Sequence, residues 1–185
     1  AYYADNPLAI LKVWEGGMSF HGGLIGLFLA VLWFARRRAI PVLALGDAVA
    51  TIGPIDGGGS CRLALTDEDR EGRDLVVAWM HDLNLDVRVD GIGNVVGVRP
   101  GRTDGPPVMT GSHIDTVRTG GRYDGNLGVL AGLEVIETLE QQGIQTENPF
   151  AVAFFTDEEG SRFPPDMLGS LVYVGGMAVE EALDI

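Results

Sequence analysis

The 185-residue sequence predicts an α/β fold, a mixed sheet with flanking helices, preceded by a transmembrane-like helical segment. Three observations lead there. Charge is divided, with a net +1 over residues 1–55 and a net −14 over residues 56–185. Gly16 to Ala35 is a run of 20 residues without formal charge, long enough for a helix to cross a bilayer core. Downstream, short apolar runs alternate with helix-length amphipathic stretches, the pattern of strand–helix–strand units.

In the first part, Arg36, Arg37 and Arg38 follow the apolar run at once, the arrangement expected on the cytoplasmic side of a membrane. Trp33 and Phe34 stand where interfacial aromatics are common. Positive charge after the run, instead of before it, argues against a secretory signal peptide. The whole chain has 13 Lys+Arg against 26 Asp+Glu, a balance that disfavours nucleic-acid partners. A lone Cys61 excludes an internal disulfide framework and a cysteine-only zinc site.

In the second part, Thr66-Asp-Glu-Asp69 has the form of a capping box, and Leu75, Val76, Trp79, Met80 and Leu83 form one helical stripe after it. Leu85 to Asp90 alternates as a half-buried strand, with Gly91 to Val98 as its hairpin partner. Arg99 to Pro107 is a loop. Pro107 to Thr110 is a short strand running into Gly111-Ser-His-Ile-Asp-Thr116; Gly120 to Gly125 is a turn, and Asn126 opens a helix through Gln142. Phe150 to Phe155 is a buried strand that delivers Thr156-Asp-Glu-Glu-Gly160 at its end. Polar residues just past the carboxyl ends of apolar strands are where open α/β sheets build their sites.

The residues at those ends have metal chemistry. His113 and Asp115, two apart, point to the same side of an extended segment. A ligating histidine usually gives its other ring proton to an acceptor, a role open to Asp115. Asp124 lies in a glycine-flanked turn, where a carboxylate is able to bridge two cations. Glu158 and Glu159 diverge, so one can ligate while the other works as general base. One imidazole with carboxylates and no thiolate suits zinc, manganese, cobalt or nickel. His81, upstream of all these segments, reads as a surface or packing residue.

Two resemblances sharpen these expectations. Trp14-Glu-Gly-Gly-Met-Ser-Phe-His-Gly-Gly-Leu24, with Tyr2-Tyr3-Ala-Asp-Asn-Pro7 before it and Ile40-Pro41 and Gly46-Asp47 after it, resembles the prolipoprotein diacylglyceryl transferases to about Pro54. That likeness implies a fragment of a membrane lipid-modifying enzyme, with His21 at its catalytic position. The family's later arginine–glycine–asparagine signature is replaced here by Ile55-Asp-Gly-Gly-Gly-Ser60, so no transferase activity is expected.

Gly111-Ser-His-Ile-Asp-Thr-Val117, Gly120-Gly-Arg-Tyr-Asp-Gly125 and Thr156-Asp-Glu-Glu-Gly-Ser-Arg-Phe163 resemble the N-carbamoyl-L-amino-acid hydrolases and their allantoate amidohydrolase relatives, from about Asp56 to Ile185. This likeness implies a partial zinc-peptidase-like sheet and a centre of two divalent metal ions. His113 would ligate one, Glu159 the other, and Asp124 both, with Glu158 as base and Asp115 orienting His113. The implied partner is a small-molecule N-carbamoyl or ureido substrate, cleaved at a C–N bond, in a family that forms dimers. Two family histidines and the dimerisation domain fall beyond Ile185, so weak metal binding and little hydrolysis are expected of this chain.

The sequence thus reads as two units, 1–55 and 56–185, joined near Ile55–Gly58 from two truncated reading frames. Residues 56–185 are expected in the cytoplasm, and a membrane contact is expected through residues 16–35. The transferase reading, or a non-enzymatic membrane-tethered module, is the alternative.

Overall fold

The computed structural model describes residues 41–185. The 16–35 membrane segment and His21 lie outside the described residues. Among the described residues, no helix is long and apolar enough to cross a membrane.

The chain runs α1 (Pro41–Ala50), α2 (Asp67–Asp82), β1 (Asp86–Val89), β2 (Val95–Arg99), β3 (Val108–His113), α3 (Asn126–Gln141), β4 (Phe150–Phe155), α4 (Leu168–Tyr173) and α5 (Val179–Leu183). The strands form one mixed sheet in the order β1-β2-β4-β3. The β1–β2 and β2–β4 pairs are antiparallel, and β3–β4 is parallel with α3 as the crossover.

Thr66 caps α2 with its hydroxyl, which accepts from the Asp69 backbone N–H at 3.3 Å. The Asp69 carboxylate returns to the Leu65 N–H at 2.9 Å, one residue before the cap, so the box closes one position wider than its usual form. Replacing Thr66 by alanine removes one arm and is expected to cost about 1 kcal/mol, measured by urea unfolding.

The predicted stripe on α2 is the buried one. Val76 and Met80 are fully buried, and Leu75, Trp79 and Leu83 pack against the same core. β2 begins at Val95, later than the alternation suggests. The Asp90 carboxylate captures the Ile92 and Asn94 N–H groups at 3.1 and 2.9 Å, which turns residues 91–94 into the hairpin loop. β4 is central, and Ala151 to Phe154 are fully buried, which explains a continuous apolar run without alternation.

α3 lies close on the sheet because Gly132 faces it. A Cβ there would stand 2.8 Å from Thr110 Cγ2 and Val152 Cγ2, so only glycine permits this approach. The core joins Val49 of α1, Val76 and Met80 of α2, and Val129, Leu133 and Ile136 of α3 to Val152 and Phe154 of β4. The described residues fall in one compact unit, and the join expected near Ile55–Gly58 lies inside it.

Candidate metal centre

Because β3 and β4 are parallel and pair His113 with Phe155, their carboxyl ends open side by side. One end presents His113; the other leads into Thr156–Glu159. The turn before α3 brings Asp124 to the same place. One ligand atom from each of His113, Asp124 and Glu159 lies within 4.8 Å of the others. Three residues from separate segments of the chain therefore meet only in the fold.

His113 Nδ1 lies 2.9 Å from the Asp115 backbone carbonyl and 3.7 Å from the nearer Asp115 carboxylate oxygen. A carbonyl only accepts, so Nδ1 donates there and Nε2 is left able to ligate a cation. The orienting contact thus comes from Asp115, but through its main chain and not its carboxylate as the residue types suggest. The carboxylate instead accepts the backbone N–H groups of Glu158 at 3.3 Å and Glu159 at 3.2 Å. Asp115 is 2% exposed, and its bonds tie the two strand ends together.

Glu158 is not among these three converging residues. Its Oε1 accepts the Ser170 N–H at 2.9 Å at the start of α4. Asp157, between strand and glutamates, takes a left-handed backbone with φ of 56°. Both its carboxylate oxygens are buried, and no donor reaches them in good hydrogen-bond geometry, the Phe163 N–H included. Burial pushes its carboxyl up to about 6, with Asp115, Asp69 and Glu158 adding repulsion and the Phe163 backbone N–H pulling the other way. Burial also raises Glu159; His113 opposes that shift, and Asp124 and Asp115 reinforce it. Several carboxyl groups thus crowd one imidazole, a charge imbalance that a divalent cation would relieve. A histidine and two carboxylates at this spacing fit such an ion.

Several supporting residues escape sequence reasoning. Asn94 is fully buried; its amide donates to Asp90 and to the Gly169 carbonyl, and its oxygen accepts the Thr156 N–H at 2.9 Å. Arg162, after the glutamates, donates to the carbonyls of Ala64 and Leu65 at 2.8 and 2.5 Å. It also stacks over the Phe163 ring at 4.9 Å. Arg62, fully buried, gives no local signal because its partners are 10 to 64 positions away. His81 is exposed on α2, outside the cluster.

Comparison with known proteins fits this geometry. Residues 109–185 match the peptidase family M20/M25/M40. An N-carbamoyl-L-amino-acid amidohydrolase of Rhizobium meliloti is 47% identical over 135 residues, covering 72% of this chain and 32% of that protein. The described segment is carbamoyl-amino-acid amidohydrolase-like. A Geobacillus stearothermophilus protein of the same name is 43% identical over 130 residues, covering 70% of this chain and 32% of its own. In structure, the segment resembles a hydantoinase/carbamoylase family amidase from Burkholderia ambifaria, at 47% identity and a TM-score of 0.75. That match covers 77% of this chain and 35% of the amidase. The chain spans about a third of the length of these relatives.

Residues 1–87 match the prolipoprotein diacylglyceryl transferase family. The two likenesses overlap. The amidase match takes in about 142 residues, whereas only 130 lie from Asp56 to Ile185. At least a dozen residues ahead of Asp56 therefore follow the amidase fold.

Proposed function

We propose that this chain carries the cation-binding part of a metal-dependent hydrolase that cleaves the linear C–N bond of N-carbamoyl or ureido compounds. The observation that carries the reading is the convergence of His113, Asp124 and Glu159 from three separate segments at the ends of two parallel strands. The relatives, named as N-carbamoyl-L-amino-acid amidohydrolases, support this substrate class.

His113, Asp124 and Glu159 are the residues that would hold the divalent cations. Divalent cations held there supply Lewis acidity toward a carbonyl oxygen and lower the pKa of a water. The remaining work belongs to the chain. Asp115 fixes the His113 tautomer through its carbonyl and aligns the glutamate backbone through its carboxylate. Glu158 takes a proton from the attacking water and returns it to the departing nitrogen. Its bond to the Ser170 N–H holds the carboxylate in place. Hydrolysis of an N-carbamoyl amino acid releases the free amino acid, carbon dioxide and ammonia.

A graft tests this reading. Asp56–Ile185 replaces the aligned segment of the Rhizobium meliloti relative, and hydrolysis of N-carbamoyl-L-amino acids is followed by ammonia release. The graft is expected to turn over substrate, and Glu158→Gln within it to lower kcat about 10²- to 10⁴-fold. A folded graft without activity, or one indifferent to Glu158→Gln, would contradict the assignment.

The family match over residues 1–87 favours a second reading, in which the first part of the chain is a membrane transferase segment containing His21. Fractionation separates the two. Recovery of the full chain only with detergent supports the membrane segment, and recovery without it argues for the hydrolase reading alone.

A further inference from the structure

We propose that Arg62, together with the α1 helix whose end it caps, is a positioning residue of the metal centre. The inference rests on the metal reading above and adds a part of the chain that the reading does not use. Pro41–Pro54 then belongs functionally with the hydrolase-like unit, despite its resemblance to a transferase.

Arg62 is fully buried and is among the largest side chains with no exposure. Its guanidinium reaches three segments at once. Nε donates to the Ile114 carbonyl at 3.1 Å, and Ile114 stands between His113 and Asp115. Nη2 donates to Asn126 Oδ1 at 3.2 Å, two residues after Asp124. Nη1 donates to the Val49 and Ile52 carbonyls, each at 3.1 Å, at the end of α1. One planar fork thus ties the His113 loop and the Asp124 turn to the same helix terminus.

The backbone around Arg62 repeats the connection. Its N–H donates to Thr116 Oγ1 at 2.7 Å, and its carbonyl accepts the Thr116 N–H at 2.8 Å. Ser60 and Gly120 exchange two bonds of 3.0 and 3.1 Å at the start of the Asp124 turn. Asp47 on α1 accepts from Arg122 in that turn at 2.8 Å.

Arginine is required by the geometry. Its donors are fixed in a plane, whereas a lysine ammonium has three donors at one point and must abandon some of these acceptors. Each abandoned carbonyl is buried, so the loops would shift to find new partners. A shift in either loop changes the distance between His113 and Asp124. Supporting contacts of metal ligands typically carry about 10- to 100-fold in affinity.

The test uses the full chain and Co(II) alone, titrated by visible absorption with circular dichroism in parallel. Arg62→Lys is expected to keep the wild-type far-UV spectrum and a cooperative melt, while its Co(II) Kd weakens about 10- to 100-fold and its visible band changes shape. Arg88→Met, which removes an exposed ion pair on β1, is expected to retain wild-type affinity. A folded Arg62→Lys with unchanged Kd and spectrum overturns the proposal. Where Arg62→Lys does not fold, Asn126→Ala decides, because it leaves the Val49, Ile52 and Ile114 arms and removes the arm toward Asp124, together with the bond from Asn126 Nδ2 to the Arg122 carbonyl in the same turn. Weakened Co(II) binding in that variant supports the brace, and unchanged binding overturns it. An unsubstituted chain that binds no Co(II) overturns the metal reading itself and the brace with it.

Discussion

Replacing Gly125 by alanine is expected to abolish cation binding while leaving the sheet folded. Gly125 has φ of 64° and ψ of −50°, outside the left-handed helical well, a backbone that costs an alanine about 1–3 kcal/mol. The larger effect is local. A Cβ at this position would stand 2.6 Å from His113 Nε2 and would also press on Cε1 and Nδ1 of the same ring. The imidazole has to swing away, losing its bond to the Asp115 carbonyl and its place beside Asp124 and Glu159. Thermal melts with and without Co(II) check this. At free cation about a hundred times its Kd, the wild-type chain gains about 2.7 kcal/mol, and Gly125→Ala is expected to gain none. A melt shift equal to wild type would show that His113 is not a ligand.

Asp157→Asn is expected to stabilise the metal-free chain at neutral pH and to leave it unchanged in acid. The Asp157 carboxyl stands at about 6 in the folded chain against a reference of 3.8. A raised folded value means that the native state holds its proton longer than the unfolded chain does. The associated stability is complete below about 3.8 and is lost as pH rises through about 6. The loss is on the order of 1–3 kcal/mol at neutral pH. Asparagine carries no charge to desolvate, and it tolerates the left-handed backbone observed here. Urea unfolding in a chelator at about pH 4 and about pH 7.5 is the measurement, on either side of the folded value. The variant and the wild type should coincide at the lower pH and separate at the higher one. Equal stability at both would mean that Asp157 finds a compensating partner in solution.

The convergence of His113, Asp124 and Glu159 was legible because each residue sits in a dense local motif at a strand end or tight turn, where apolar periodicity breaks into glycine and acid. The strand over Phe150–Phe155 was legible to the residue, since six apolar residues between polar loops leave few other choices. What stayed hidden depends on contacts between distant positions. Nothing near Arg62 in sequence announces that its acceptors are Val49, Ile114 and Asn126. The burial of Asp157 comes from neighbours that the chain order does not place beside it. The two roles of Asp115 follow from a strand pairing, because its carboxylate meets backbone amides 43 and 44 positions away. The transferase-like sequence through Pro54 suggested a join at Ile55–Gly58. Packing of Val49 and Ile52 in the buried interior, and the bonds of their carbonyls to Arg62, are invisible to local composition.

The central claim is that His113, Asp124 and Glu159 together hold a divalent cation. Equilibrium dialysis of the full chain and of His113→Ala against Zn(II), with bound metal determined by elemental analysis, tests it most directly. Saturable binding is expected of the unsubstituted chain, with loss of that binding in His113→Ala and circular dichroism unchanged. Equal Zn(II) in both proteins, or none in either, would contradict it.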